Sequence, residues 1–183
     1  ILPRNGRSQY ISGKTMHLKK NKKVNMKKNI QDWLDAYGES HQNSTNKAIH
    51  WVCVPAITFT LLGLLSLVNY SFMINNGNYN INLAGVLIII AVLFYLRLSI
   101  SLSIGMIIFT GICMHFITTF SETYTNQELL KYYIITFIIA WIGQFIGHKI
   151  EGEKPSFFED IQFLLIGPAW LLSFIYKKLN IKI

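Results

Sequence analysis

At 183 residues the chain has the length of one domain, and with 51% of its residues hydrophobic against 14% charged it reads first as a membrane protein. Its net charge of +8 is confined to one end: residues 1–31 hold nine Lys/Arg and no Asp/Glu, residues 32–183 hold eight Lys/Arg and nine Asp/Glu, and a nucleic-acid-binding surface is not implied. The two cysteines, Cys53 and Cys113, lie inside apolar runs and exclude a disulfide framework or a four-cysteine metal site, leaving two small buried hydrophobes.

Residues 1–29 are polar and basic, and are expected to be disordered or to lie on the membrane surface, next to anionic lipid. They contain no apolar core of a secretory signal, and Met16 or Met26 is a candidate start. Ile30, Trp33, Leu34 and Tyr37 give the i, i+3, i+4, i+7 spacing of a short amphipathic helix, read as an interfacial anchor. A polar stretch, Gly38–Asn46, then turns the chain, with Asn43, Ser44 or Thr45 as candidate caps of the next helix. From Ala48 to Leu96 there is no charged Asp, Glu, Lys or Arg, which is room for two spans of about 20 residues. These are placed at Ile49–Val68 and Ile81–Leu96, separated by the Asn- and Gly-rich Asn69–Asn82. Leu98–Phe120 and Tyr132–Gly147 supply spans three and four, and Ile161–Tyr176, interrupted by Gly167-Pro168, is a fifth segment that is re-entrant, interfacial or spanning. The Ile/Val-rich runs are continuous and not alternating, so a membrane β-barrel does not fit. The expectation is an all-α, multi-pass membrane bundle: a basic tail, 1–29, and one helical domain, 30–183.

The basic tail places the N-terminus in the cytosol. Four crossings later the chain returns to the same side at His148. The segment preceding span one and the segment following span four therefore share a face.

Five histidines are candidates for chemistry. His17 lies in the tail and is expected to be solvated. His115 sits inside span three, where a polar side chain has either a functional or a packing role, and packing is expected. His41 and His50 are nine apart and fall on opposite faces of one helix, so they can serve one site only if the chain breaks between them, as Gln42–Thr45 allows. Asn46 and His50 share a face, as do Gln144, His148 and Glu151 at spacings of four and three. His41, His50 and His148 thus converge on one membrane face with Asn46 and Glu151 nearby. Neutral imidazoles with a carboxylate suit non-haem Fe(II) and also Zn²⁺. No His-Glu-x-x-His or paired Cys-x-x-Cys signature decides between them.

Two blocks of this sequence resemble a known family. His41-x4-Asn46-x3-His50-x4-Pro55, preceded by Tyr37, is similar to the first motif of the small membrane 2-hydroxy-fatty-acid dioxygenases of phytosphingosine breakdown and their bacterial relatives. Gln144-Phe145-Ile146-Gly147-His148, followed by Glu151, Pro155, Gln162 and Pro168, resembles the second; together they span about residues 30–177. In the family pattern the Glu and Pro stand four and eight residues after the histidine, here three and seven, which leaves the role of Glu151 open. The resemblance implies an Fe(II)- and O₂-dependent enzyme of lipid metabolism that shortens a 2-hydroxy fatty acid by one carbon, with His41, His50 and His148 needed for iron. Glu151, Asn46 and Gln144 are then the candidate catalytic groups, and Lys47 and Lys149 candidates for attracting the substrate carboxylate. His115 is a possible extra ligand. The setting is an integral membrane protein of the bacterial inner membrane, or of the endoplasmic reticulum in a eukaryote. The rival readings are a zinc-dependent lipid hydrolase and a non-enzymatic membrane protein whose polar clusters cap helices.

Overall fold

The computed structural model describes residues 29–74, 77–152, 154 and 163–183, without the side chains of 72–80. The expectations for the tail up to residue 28, including His17, and for Pro155 and Gln162 fall outside the described residues. Within them the chain runs α1 Ile30–Glu39, α2 Ser44–Ser66, β1 Asn69–Ile74, β2 Gly77–Asn82, α3 Leu83–Leu96, α4 Ile100–Thr123, α5 Asn126–Glu151 and α6 Phe163–Lys178.

Local chemistry sets most of the boundaries. Asn29 and Asp32 form a reciprocal capping box that starts α1, and Thr125 and Glu128 do the same for α5. The Asn43 side chain accepts from the backbone N–H of Thr45 and Asn46, so Asn43 is the cap of α2. α5 stops where Gly152 takes a left-handed φ of 82°, a conformation that costs glycine nothing.

Between α2 and α3 the expected loop is instead an antiparallel hairpin, pairing Asn69 with Asn82 and Ile74 with Gly77. Asn-Asn-Gly at 75–77 is followed by the alternating Asn78-Tyr79-Asn80-Ile81-Asn82, which is a hairpin signal in the sequence itself. Asn82 joins the hairpin to the bundle: its side-chain N–H₂ donates to the Ser66 carbonyl at 3.1 Å and its oxygen caps α3. The helical expectation therefore holds for the bundle, with a small two-stranded addition.

Among the described residues three helices, α2, α4 and α5, are long and apolar enough to cross a membrane. At 23, 24 and 26 residues they measure about 35–39 Å by the helical rise, enough for a hydrocarbon core of about 30 Å. The second expected span, α3, has only 14 residues, or about 21 Å, because the strand claims Ile81 and Asn82. Isoleucines of α4 and α5 such as Ile104, Ile112, Ile135 and Ile139 are exposed in rows, the pattern of a lipid-facing surface.

α2 and α5 pack antiparallel, and the closeness of their approach comes from small residues. A Cβ on Gly63 would lie 2.6 Å from the Tyr133 ring, one on Gly143 would lie 2.6 Å from Cys53 Sγ, and one on Gly147 would collide with Asn46 Oδ1. Gly143 and Gly147 form a G-x-x-x-G step, which lets two helix backbones meet without a hydrophobic driving force. α1 does not present its apolar face to a membrane interface as expected. Trp33, Leu34 and Tyr37 are buried in a cluster with Phe163, Ile166 and Trp170 of α6. α6 continues as a helix through Gly167-Pro168, and it touches α3 and α4 at their adjoining ends: the Tyr95 hydroxyl donates to the Leu165 carbonyl, and the Tyr176 hydroxyl to the Ser101 carbonyl.

Candidate metal centre

The end of α5, the start of α2 and the turn between α1 and α2 meet at one corner of the bundle. Their histidines meet with them. The chain breaks at residues 40–43, slightly earlier than expected, and this break turns His41 back toward His50 one helical face away. His41, His50 and His148 are all buried, and one ring nitrogen from each lies within 4.8 Å of the others. The three ring planes are near perpendicular, at interplanar angles of 74–85°.

Backbone carbonyls fix the tautomer of two of the three rings. His41 Nδ1 is 2.6 Å from the Tyr37 carbonyl oxygen, and His50 Nδ1 is 2.9 Å from that of Asn46. A carbonyl can only accept, so each Nδ1 carries the proton and donates it. In a neutral imidazole the Nε2 atom is then a bare lone pair. His41 Nε2 and His50 Nε2 face one another at 2.9 Å, with no proton of their own to share. His148 adds a buried Nδ1 with no hydrogen-bond partner. Lone pairs aimed at a common point repel unless a cation lies among them. The donor set fits a metal: three buried imidazoles, two of them with the tautomer fixed by a carbonyl behind the ring.

Neutrality is enforced at His41, which lies outside the candidate spans. Burial and the repulsion of His50 hold its imidazole down at about 3, against the weaker pull of the Tyr37 carbonyl. Tyr37 stacks on the His41 ring at 4.2 Å, and burial pushes its phenol far above the ordinary range. Trp170 of α6 packs against both rings, 5.1 Å from His41 and 5.4 Å from Tyr37 between ring centres. Spacing does not single out Trp170, since an isolated Trp in an apolar helix carries no periodic signal.

The remaining candidates divide clearly. Glu151 is not aimed at the histidines as a ligand. One carboxylate oxygen accepts from the Gln42 N–H at 2.7 Å, the other from the Asn43 N–H at 2.9 Å and from Asn46 Nδ2 at 3.0 Å. It thus ties the end of α5 to the turn that carries His41, at the positive end of α2. Asn46 is fully buried between Glu151 and Gly147. The Gln144 side chain lies beside His50, and its Nε2 is buried without a partner. Lys47 is half-buried and Lys149 exposed, and neither belongs to the histidine cluster. His115 is exposed on α4, in ring contact with Phe116 and away from the cluster, so the possible extra ligand is not brought to it.

The close approach at Gly147 makes a specific prediction. Gly147→Ala should cost on the order of 1–3 kcal/mol, because the new methyl must displace a buried Asn46 that has no free direction to move. Gly111→Ala, where a Cβ meets nothing within 4 Å, should be neutral or slightly stabilising. Thermal unfolding of the two variants in detergent compares them directly.

A family model described as 2-hydroxy-palmitic acid dioxygenase Mpo1-like matches residues 27–179, a segment that contains all three clustered histidines and all six helices. No curated protein and no solved structure gives a significant match to the chain. On a match that covers most of its length, the chain belongs to the Mpo1-like family.

Proposed function

We propose that the chain is an Fe(II)-dependent membrane dioxygenase that converts a 2-hydroxy long-chain fatty acid into the acid one carbon shorter. The observation that carries this is the opposed pair of Nε2 lone pairs of His41 and His50 beside the unpartnered His148 Nδ1. The family description supplies the reaction class, and the reaction class argues for the metal. Zn²⁺ suits three imidazoles equally well but has no redox chemistry, whereas a reaction with O₂ requires it. Fe(II) held by the three histidines would supply that one-electron chemistry.

The protein's own groups do the rest. The Tyr37 and Asn46 carbonyls hold His41 and His50 in the ligating tautomer. Gln144 Nε2, buried and unpartnered, is placed to donate to a substrate oxygen. Lys47 and Lys149 would draw the carboxylate toward this end of the bundle. Tyr37 and Trp170 flank His41 and limit the entry of water. The overall reaction balances without another reductant: the C1–C2 bond breaks, C2 becomes the new carboxyl carbon, C1 leaves as carbon dioxide, O₂ takes the four electrons released, and one water completes the products.

The same reading gives the placement in the membrane. The antiparallel packing of α2 on α5 supports a site in which both motifs open on one side, and the basic segment 1–29 supports the cytosolic side. Residues 30–183 then form one helical domain, with α3 as a short fourth crossing and α6 lying across its cytosolic end. Cysteines introduced at Ser40 and Lys149 should be labelled from the same, cytosolic, face. Labelling from opposite faces would be incompatible with a shared site.

Metal analysis combined with oxygen uptake tests the function. Purified protein given 2-hydroxypalmitic acid should contain iron, consume O₂, and release carbon dioxide and the fifteen-carbon acid. Zinc without oxygen uptake would point to a lipid hydrolase, and absence of any metal in active-site-intact protein would leave the cluster structural.

A further inference from the structure

α6 covers two adjoining cavities of opposite character. Beneath its first half is a small one of about 50 Å³, walled by Gln144, His148, Trp141 and Thr58. Beneath its second half, between α2, α4 and α6, is a cleft of about 540 Å³, walled by apolar side chains such as Trp51, Pro55, Ile108, Ile112, Leu172 and Ile175. Val54 and Pro168 are walls of both, so the apolar cleft begins where the histidine cavity ends.

Four features mark the cleft as built. Its volume lies in the range of about 300–1,000 Å³ usual for small-molecule sites. One end is shut by Tyr176, whose hydroxyl donates to the Ser101 carbonyl at 2.7 Å, and this requires glycine at 105, since a Cβ there would collide with that hydroxyl and with Leu172. The other end opens outward at Ile108 and Ile112, which are 59% and 52% exposed. From Leu164 to Ile175 the roof is 12 residues of helix, 11 rises or about 17 Å from end to end, the scale of a long acyl chain.

We propose that this cleft is the acyl-chain site of the enzyme, which rests on the dioxygenase reading above. The carboxyl and 2-hydroxyl end of a single-chain fatty acid sits in the small cavity at Gln144 and His148. The hydrocarbon passes Val54 and Pro168 and runs toward Ile112. Size selects this occupant over a bilayer phospholipid: the head end has room for a few atoms and not for a glycerophosphate group. Chain length is then read at Ile108 and Ile112, on α4, by residues remote from the histidines.

Two measurements on the full chain in phosphatidylcholine nanodiscs test it. Ile108→Trp and Ile112→Trp narrow the open end; because both positions are more than half exposed, the larger ring does not overfill a packed core. Turnover of 2-hydroxypalmitic acid should fall by about tenfold or more, while a ten-carbon 2-hydroxy acid is turned over within about twofold of wild type. Equal effects on both chain lengths, or none, would overturn the assignment. Independently of activity, a 2-hydroxy fatty acid with a terminal diazirine should label α4 and α6 around the cleft, and unlabelled 2-hydroxypalmitic acid should compete it away. Label spread over the outer isoleucines of α5, or not competed, would mean that the cleft holds bilayer lipid. Cleft labelling in a protein without oxygen uptake would retain the acyl site and reject the dioxygenase, and uptake with scattered label would do the reverse.

Discussion

His50→Ala and His148→Ala should each strip the metal and lower turnover by well over a hundredfold. Removing even the hydrogen-bond partner of a ligand commonly costs about 10–100-fold in metal affinity, and these changes delete the nitrogen itself. No neighbour can substitute: among the described residues the histidine cluster contains no cysteine, and the nearest carboxylate, Glu151, is engaged with the α1–α2 turn. The protein should still insert, because the apolar length of α2 and α5 is unchanged. His115→Ala is the matched control. Its side chain is exposed on α4 and outside the cluster, so metal and turnover should persist and stability should change by no more than about 0.5 kcal/mol. Metal content by mass spectrometry, alongside oxygen uptake, reads all three variants. Full metal and full turnover in both His50→Ala and His148→Ala would refute a metal centre at this corner.

Much of that corner was legible because helices make spacing into geometry. Gln144, His148 and Glu151 share a face only if the helix persists past the apolar run, and α5 does persist, up to Gly152. Asn43 could be proposed as a cap from residue type alone, and its side chain does cap α2. His41 needed a break in the chain before it could join His50, and the turn-forming residues before Asn46 advertised one. What the sequence did not show is mostly a matter of partners distant along the chain. The destination of Glu151 depends on backbone N–H groups 108 and 109 residues away, which no periodicity records.

Other differences have local causes. Asn and Gly mark loops and hairpin turns alike, and only the alternation of Asn78-Tyr79-Asn80-Ile81-Asn82 after Asn-Asn-Gly separates the hairpin from a loop. For α1 the spacing of Ile30, Trp33, Leu34 and Tyr37 shows only that one face is apolar and not what covers it. α6 covers it. Gly143 and Gly147 carry no signal of their own beside His148, yet their missing side chains allow Asn46 and Cys53 of α2 to meet α5.

Removing the Glu151 carboxylate should loosen the site without touching a ligand. Three donors converge on it: two backbone N–H groups of the α1–α2 turn and the side-chain amide of buried Asn46. Glu151→Ala leaves all three to water or to nothing, and hydrogen bonds to a charged group are worth about 1.5–3 kcal/mol each before exposure is discounted. The carboxylate is only partly buried, so a total loss on the order of 2 kcal/mol is the expectation. The larger effect should be on the metal. His41 rides on the turn that Glu151 holds, and freeing that turn lets its Nε2 drift from its place 2.9 Å from His50. Metal affinity should therefore fall by about 10–100-fold while saturating metal restores most of the turnover. Glu151→Gln is the sharper variant. Its oxygen can still accept one bond, but its N–H₂ must face a donor where the second carboxylate oxygen used to accept. Its affinity loss should approach that of alanine, whereas Glu151→Asp keeps the charge and should recover part of it. Turnover that collapses at saturating metal, with affinity unchanged, would instead make Glu151 a proton-handling group and reject its role as the clasp between α5 and the His41 turn.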